Sequence, residues 1–307
     1  MLPDADNLYP SRYCERDQFF ARIDPIAYVD EAKWGCPDSP ITAEQTKSYV
    51  DQGYLLIENL FSGQDVAQFQ EEALRLRHEE ILLQREETII EPGSSDIRSI
   101  FDVQRFSSLF RALMCDMRIA GVVRYLLDCD VYLHQSRLNF KPGFRGKEFY
   151  WHSDFETWHV EDGMPNMRAI SVSIALTDNF TSNGPVMLIP GSHRLFVSCA
   201  GHTPADNYKS SLRQQQYGVP SDQSISTLVD AGGISEITGR AGSVLFFDCN
   251  LLHGSASNIS PYPRSNLFMV YNAIHNQLRD PYCEQKPRPE FIARRSHIEK
   301  ITPLPTR

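Results

Sequence analysis

The first regular pattern of apolar and polar positions begins near residue 42. In "ITAEQTKSYVDQGY" Thr42 and Gln45 have the spacing of a capping box, and Gly53 is placed to close the helix they open. "YLLIENLF" then predicts a short strand. Ser62 with Asp65 starts a second helix, in which Val66, Phe69, Ala73 and Leu76 share one face at helical spacing. "LMCDMRIAGVVRYLLD", residues 113–128, predicts a further helix. The first forty residues, rich in Pro, Asp and Tyr, are expected to wrap over the surface of the domain.

From about residue 130 the pattern changes to period two. "VYLHQSRLNFK", "RAISVSIAL", "GPVMLIP", "GSVLFFD" and "SNLFMVYNAI" read as strands separated by turns rich in Gly, Pro and Asn. Strands at this spacing predict a mainly β fold, a sandwich or barrel with flanking helices, rather than βαβ units. Alternation over 131–141 puts Gln135, Arg137, Asn139 and Lys141 on one face. That face is either solvated or the inside of an open barrel holding a polar ligand. In 169–177, Ile170, Val172, Ile174 and Leu176 form one face. The other carries only Ala169, Ser171, Ser173, Ala175 and Thr177, side chains small enough to leave room. Residues 200–238 are polar and predict an insertion or a lid over the site. No clean linker appears. The expectation is one domain over residues 1–307, with an arm and helices over 1–130 and the β core over 131–280.

Composition narrows the function classes. The chain has 307 residues, 41% of them hydrophobic, and a formal net charge of −9. An acidic balance argues against nucleic acid or an anionic membrane as partner. No apolar run reaches the roughly 18 residues of a membrane span, and the N-terminus lacks the pattern of a secretory signal. Seven scattered cysteines with no C-x-x-C argue against a disulfide framework or structural zinc site. A cytoplasmic protein with reduced thiols is expected.

Candidate chemistry concentrates in "FYWHSDFETWH", residues 149–159. In an extended segment His152 and Asp154 point to the same side, close enough to share a metal such as Fe(II), Zn(II) or Mn(II). On the same strand parity Glu156 is the rival carboxylate and Trp158 faces with the ligands. Trp151 and His159 turn away, and Glu161 and Asp162 read as a solvated turn. His193 in "IPGSH" reads as a turn or packing residue, and Cys249 as a buried free thiol. His253, where a barrel strand would end, is the best third ligand, and Arg264 follows it eleven residues later. Two histidines and a carboxylate leave three positions of an octahedral metal open, enough for a bidentate keto acid and O2. Arg264 would fork onto the keto acid's remote carboxylate.

H-S-D, "NGPVMLIPGSH" at 183–193, and His253 with Arg264 resemble the phytanoyl-CoA dioxygenase superfamily of Fe(II)/2-oxoglutarate oxygenases. "FYWHSDFETWHVEDGMP", residues 149–165, resembles the signature segment of the ectoine hydroxylases, and the resemblance spans about residues 40–290. It implies a double-stranded β-helix, the cupin-like jelly roll. It implies iron on His152, Asp154 and His253. It implies 2-oxoglutarate held by Arg264, with Asn139, Lys141, Phe149, Ser171, Ser255 and Phe101 as further contacts. The implied ectoine pocket involves Gln135 and Trp158, with Phe268 and Arg137 nearby; Trp158 and Phe268 would flank the amidinium. The implied product is 5-hydroxyectoine, a compatible solute, and the implied assembly a homodimer. Alternatives are hydroxylation of another small polar metabolite, or a non-catalytic metal-binding jelly roll or zinc hydrolase on the same ligands. A halogenase is disfavoured because Asp154 fills the position a halide needs.

Overall fold

A computed structural model of the chain describes residues 7–91, 95–212 and 215–305. In chain order come β1 (Gln18–Ala21), α1 (Ala43–Gln52), β2 (Tyr54–Ile57), α2 (Gly63–Arg77), α3 (Glu80–Leu83), β3 (Thr88–Ile90), β4 (Ile97–Phe101), α4 (Ser108–Leu113) and α5 (Val122–Leu127). They are followed by β5 (Val131–Lys141), β6 (Phe149–His152), α6 (Asp154–Asp162), β7 (Ala169–Ala175), β8 (Val186–Leu188) and β9 (Leu195–Ser198). The last are α7 (Tyr208–Ser211), α8 (Asp222–Gly232), β10 (Ser235–Ile237), β11 (Val244–Asp248), β12 (His253–Ser255) and β13 (Arg264–Ala273).

The expected caps are formed. Thr42 and Gln45 exchange hydrogen bonds of 2.9 and 3.1 Å, and Gly53 ends α1 at a φ of 83°. A Cβ at Gly53 would also lie 2.5 Å from the His193 ring, which packs there. Ser62 and Asp65 box the start of α2, and the four apolar residues expected on its inner face are all buried. The stretch 113–128, by contrast, is not one helix. Its apolar period continues, but the Asp116 carboxylate accepts from the Arg118 backbone amide and caps a new start, a π-helical turn over Met117–Gly121 that leads into α5. Local side-chain capping here competes successfully with the helical ladder.

Two antiparallel sheets form the barrel: β2-β11-β7-β13-β5-β4-β3 and the smaller β10-β8-β12-β6. Strands β5, β7, β11 and β13 lie in the larger sheet, and β6, β8, β10 and β12 in the smaller. This division is the double-stranded β-helix, or jelly roll. The outer face of the larger sheet packs Ile170, Val172, Ile174, Leu267 and Met269 with Phe69, Leu76, Phe110 and Val123 of the helices. The main apolar core therefore lies outside the barrel, and the small, polar face of β7 turns inward.

β5 contains a device that simple alternation misses. Val270 of β13 faces Gln135, whereas Tyr271 faces Leu133, so His134 is an extra, unpaired residue. The bulge reverses the alternation. Val131 and Leu133 join the outer core, while Gln135, Arg137, Asn139 and Lys141 line the interior.

Two further expectations are corrected. The N-terminal arm does not simply wrap the surface: Tyr9 is fully buried, Arg12 is 4% exposed, and β1 pairs with β9. Residues 200–238 are not wholly an insertion, because β10 is a strand of the smaller sheet and α8 buries Ile225 and Leu228 against Val197 and Leu252. Arg213 and Gln214 of that stretch lie outside the described residues. Among the described residues no helix is long and apolar enough to cross a membrane. Ser62→Ala removes the α2 box and is expected to cost about 1 kcal/mol. A lower denaturant midpoint at unchanged slope would show it; an unmoved midpoint would mean that packing alone holds the helix.

Candidate metal centre and its two cavities

The segment 149–159 is extended only as far as His152. Ser153 then caps α6, its hydroxyl accepting from the Glu156 amide at 3.4 Å, so Asp154 is the first helical residue. Helical periodicity replaces strand parity from there on, and it puts Trp158, four residues further, on the same face as Asp154. The change reassigns the neighbours. Glu156 does not compete for metal, because Arg12 and Ser11 hold it from the far side. Glu161 and Asp162 are not a solvated turn: they are 3% and 0% exposed and pair with Arg12 and Arg288. His159 is no ligand, as expected, but the reason is its place on the helix, where it bonds the Met164 carbonyl and Asn7.

His253 opens β12 rather than closing the strand before it, and it pairs directly with His152 of β6. This register sets the two imidazole centroids 4.2 Å apart. Asp154 Oδ1 lies 3.7 Å from His152 Nε2, and Oδ2 lies 3.9 Å from His253 Nε2. All three ligand atoms fall within 4.8 Å of one another. Each histidine has its Nδ1 on a backbone carbonyl, Tyr150 at 2.8 Å and Leu251 at 3.0 Å. Donation there leaves Nε2 free to accept a metal. Burial, with His253 alongside, pushes His152 down to about 3, so its imidazole is neutral. Burial alone would raise Asp154, but His253, His152 and Arg137 outweigh it and hold the carboxyl below its ordinary value. The donor set of two imidazoles and one carboxylate fits non-haem Fe(II). The Ser171 hydroxyl donates to Asp154 Oδ2 at 3.1 Å. Ser171, on the inward face of β7, thus supports the ligand directly.

Two cavities meet at the triad, sharing His152, Arg137, Phe149 and Leu212. The larger, about 710 Å³, is lined by Arg264, Lys141, Asn139, Ser255, Phe101 and Phe268 among others. Arg264 is 6% exposed, and its Nε and Nη1 have no hydrogen-bond partner among the described residues. Lys141 Nζ donates to Ser255 Oγ at 2.8 Å and to the Ala256 carbonyl at 2.5 Å, and Ser99 donates to Asn139 at 2.8 Å. Burial, then Arg264 and Arg98, push the Lys141 ammonium down to about 6. Buried cations without a counter-charge are costly, so this cavity is built for an anion.

The second cavity, about 420 Å³, is lined by Gln135, Asp154, Thr157, Trp158, Gln215 and Arg288 among others. Gln135 Nε2 donates to the Ile292 carbonyl at 2.6 Å, which leaves its Oε1 as an acceptor. Arg288 is fixed by a fork onto Asp162, at 2.8 and 2.5 Å. Trp158 meets the His134 ring edge-on at 5.2 Å. Phe268 does not join Trp158 here: it lines the larger cavity, 5.1 Å from the Arg137 guanidinium.

The sequence model of the phytanoyl-CoA dioxygenase family matches residues 49–266. The chain belongs to that family. The ectoine dioxygenase of Bordetella parapertussis is 52% identical over 304 residues, covering 99% of this chain and 97% of the relative. That of Stutzerimonas stutzeri is 50% identical over 295 residues, covering 96% of each. The crystal structure of EctD from S. alaskensis with 2-oxoglutarate and 5-hydroxyectoine aligns over 98% of this chain and 99% of that one, at 44% identity and a TM-score of 0.88.

Arg288, Thr157 and Arg98 are site residues that sequence reasoning missed. Arg288 lies beyond the last barrel strand, in "KPRPE", where no alternation marks it. Thr157 was hidden by applying strand parity to a helix. Ser171→Ala removes the support on Asp154 and is expected to weaken binding of Co(II), as a metal probe, about tenfold. Equal affinity for wild type and variant would show that the hydroxyl does not tune the ligand.

Proposed function

We propose that this protein hydroxylates ectoine to 5-hydroxyectoine, using Fe(II), 2-oxoglutarate and O2 and releasing succinate and CO2. The observation that carries the reading is the junction: the triad sits where a buried, under-neutralised cation pocket meets a second pocket walled by Trp158, Gln135 and Arg288. When bound, Fe(II) on His152, Asp154 and His253, together with 2-oxoglutarate, supplies the chemistry that places an oxygen atom from O2 into a C–H bond.

The remaining work belongs to the chain. Arg264 receives the remote carboxylate of 2-oxoglutarate in a bidentate fork. Lys141, held by Ser255, adds a second charge, and Asn139, Phe101, Phe149 and Phe268 shape the wall. In the second cavity the Trp158 ring meets the delocalised ectoine cation. Gln135 Oε1 accepts from a ring N–H, and Arg288, pre-oriented by Asp162, takes the carboxylate. Arg137 stands between the two ligands. Leu212 and Gln215 close the pocket and limit water. The chain acts as a single catalytic domain and works as a homodimer in the cytoplasm; its seven free cysteines suit a reducing compartment.

Purified protein with Fe(II), 2-oxoglutarate and ectoine is expected to yield a product one oxygen heavier by mass spectrometry. Consumption of 2-oxoglutarate that ignores ectoine, with no such product, would sink the assignment. A second expectation follows from Lys141. Its pKa is near 6 instead of 10.5, so at pH 8 the amine is mostly neutral before the dianion arrives. Binding 2-oxoglutarate restores the ammonium, so it should take up about one proton between those two values. Calorimetry in buffers of different ionisation enthalpy reads the uptake, and identical heats in all buffers would contradict it.

A further inference from the structure

Arg12 belongs to the N-terminal arm, remote in sequence from every metal ligand, yet it ends buried against the helix that carries one. Its Nε and Nη2 fork onto the Glu156 carboxylate at 3.0 and 2.7 Å, and Nη1 reaches Glu161 Oε1 at 2.5 Å. One guanidinium thus grips α6 at two points, Glu156 near its start and Glu161 near its end. The same helix presents Asp154, Thr157 and Trp158 to the second cavity.

The same group gathers the segment that covers the second cavity. Nη1 donates to Thr203 Oγ1 at 3.1 Å, and Asn207 Nδ2 donates to the Glu161 oxygen that Arg12 holds, at 2.7 Å. Nη2 reaches Thr157 Oγ1 at 3.4 Å, and Gln215 donates to that hydroxyl at 3.1 Å. Gly218 packs so closely on the ion pair that a Cβ there would lie 2.1 Å from Glu156 Oε2 and 2.3 Å from Arg12 Nη2. The arm itself is anchored independently. Arg12 N donates to the Cys199 carbonyl and Cys199 N donates to Ser11 Oγ, both at 2.9 Å.

We propose that Arg12 is a positioning residue that locks Thr203, Asn207, Gln215 and Gly218 onto α6 and so holds the substrate wall of Thr157, Trp158 and Gln215 closed. Without the guanidinium, Glu156 and Glu161 are left as buried carboxylates lacking their partner and must draw in water, which loosens the cover. The damage is uneven. Asp154 rides on α6 and Leu212 lines both cavities, but His152 and His253 ride on β6 and β12, and Arg264 and Lys141 on β13 and β5. The loss therefore falls mainly on the second cavity. This inference takes the substrate from the ectoine assignment above.

The test uses the full-length, iron-loaded enzyme. Arg12→Gln should raise KM for ectoine about tenfold or more while KM for 2-oxoglutarate stays within about twofold. Arg12→Lys, which restores the charge without the fork, should recover part of the loss. Limited proteolysis should cut residues 200–220 faster in Arg12→Gln than in wild type. Gly218→Ala, whose methyl group would force the cover and the ion pair apart, should give the same KM split and decides the matter if Arg12→Gln does not fold. Equal losses for both co-substrates, or an unchanged KM for ectoine, would overturn the proposal. Should wild-type protein fail to hydroxylate ectoine, the assignment of substrate falls. Arg12 is then judged on proteolysis alone, where unchanged cleavage overturns its role.

Discussion

The centre depends on one backbone register, His253 opposite His152 across two short antiparallel strands. Cross-strand neighbours sit close enough for both imidazoles to reach one ion. The third ligand arrives by a different device. The strand stops after His152, Ser153 caps a helix, and Asp154 is thrown forward as its first residue. A strand that continued would carry Asp154 two residues along and place Trp158 by parity. The helix instead stacks Trp158 one turn behind the carboxylate, so a single switch from strand to helix equips the metal site and the wall of the neighbouring cavity together.

That arrangement requires a barrel whose inside is free for polar work. The apolar core lies between the larger sheet and the N-terminal helices, where Ile170, Val172 and Ile174 pack outward. The inner side keeps Ser171, and the His134 bulge turns Gln135, Arg137, Asn139 and Lys141 inward. Stability is thus supplied largely by one face of a sheet, and chemistry by the other. The cost of charge in the interior is met unevenly. Arg12, Arg22 and Arg288 have carboxylate partners at hydrogen-bonding distance, whereas Arg264 has none among the described residues. Arginines that hold the fold are neutralised within the chain, and Arg264, which lines the larger cavity, is left for a ligand.

Much of this was legible along the chain. Capping boxes and short-range periodicity depend on residues within a turn of each other, so Thr42 with Gln45, Ser62 with Asp65 and the buried face of α2 could be read directly. The barrel strands show as alternation, and the triad with Arg264 shows as chemistry at a recognisable spacing. The long segment at 149–165 carries more identity than any pattern of burial.

What local reading could not supply was decided by partners distant in sequence. His134 shifts a register that only pairing with β13 reveals. Glu156 looks like a rival ligand, and Glu161 and Asp162 like solvent-facing acids, until Arg12 and Arg288 meet them from opposite ends of the chain. Residue type and spacing determined which groups could bind a metal and where helices could start, because those are short-range properties. Which carboxylate binds, which is neutralised by arginine, and which side chains share a cavity were settled by tertiary contact, because burial and charge pairing depend on neighbours that sequence distance does not reveal.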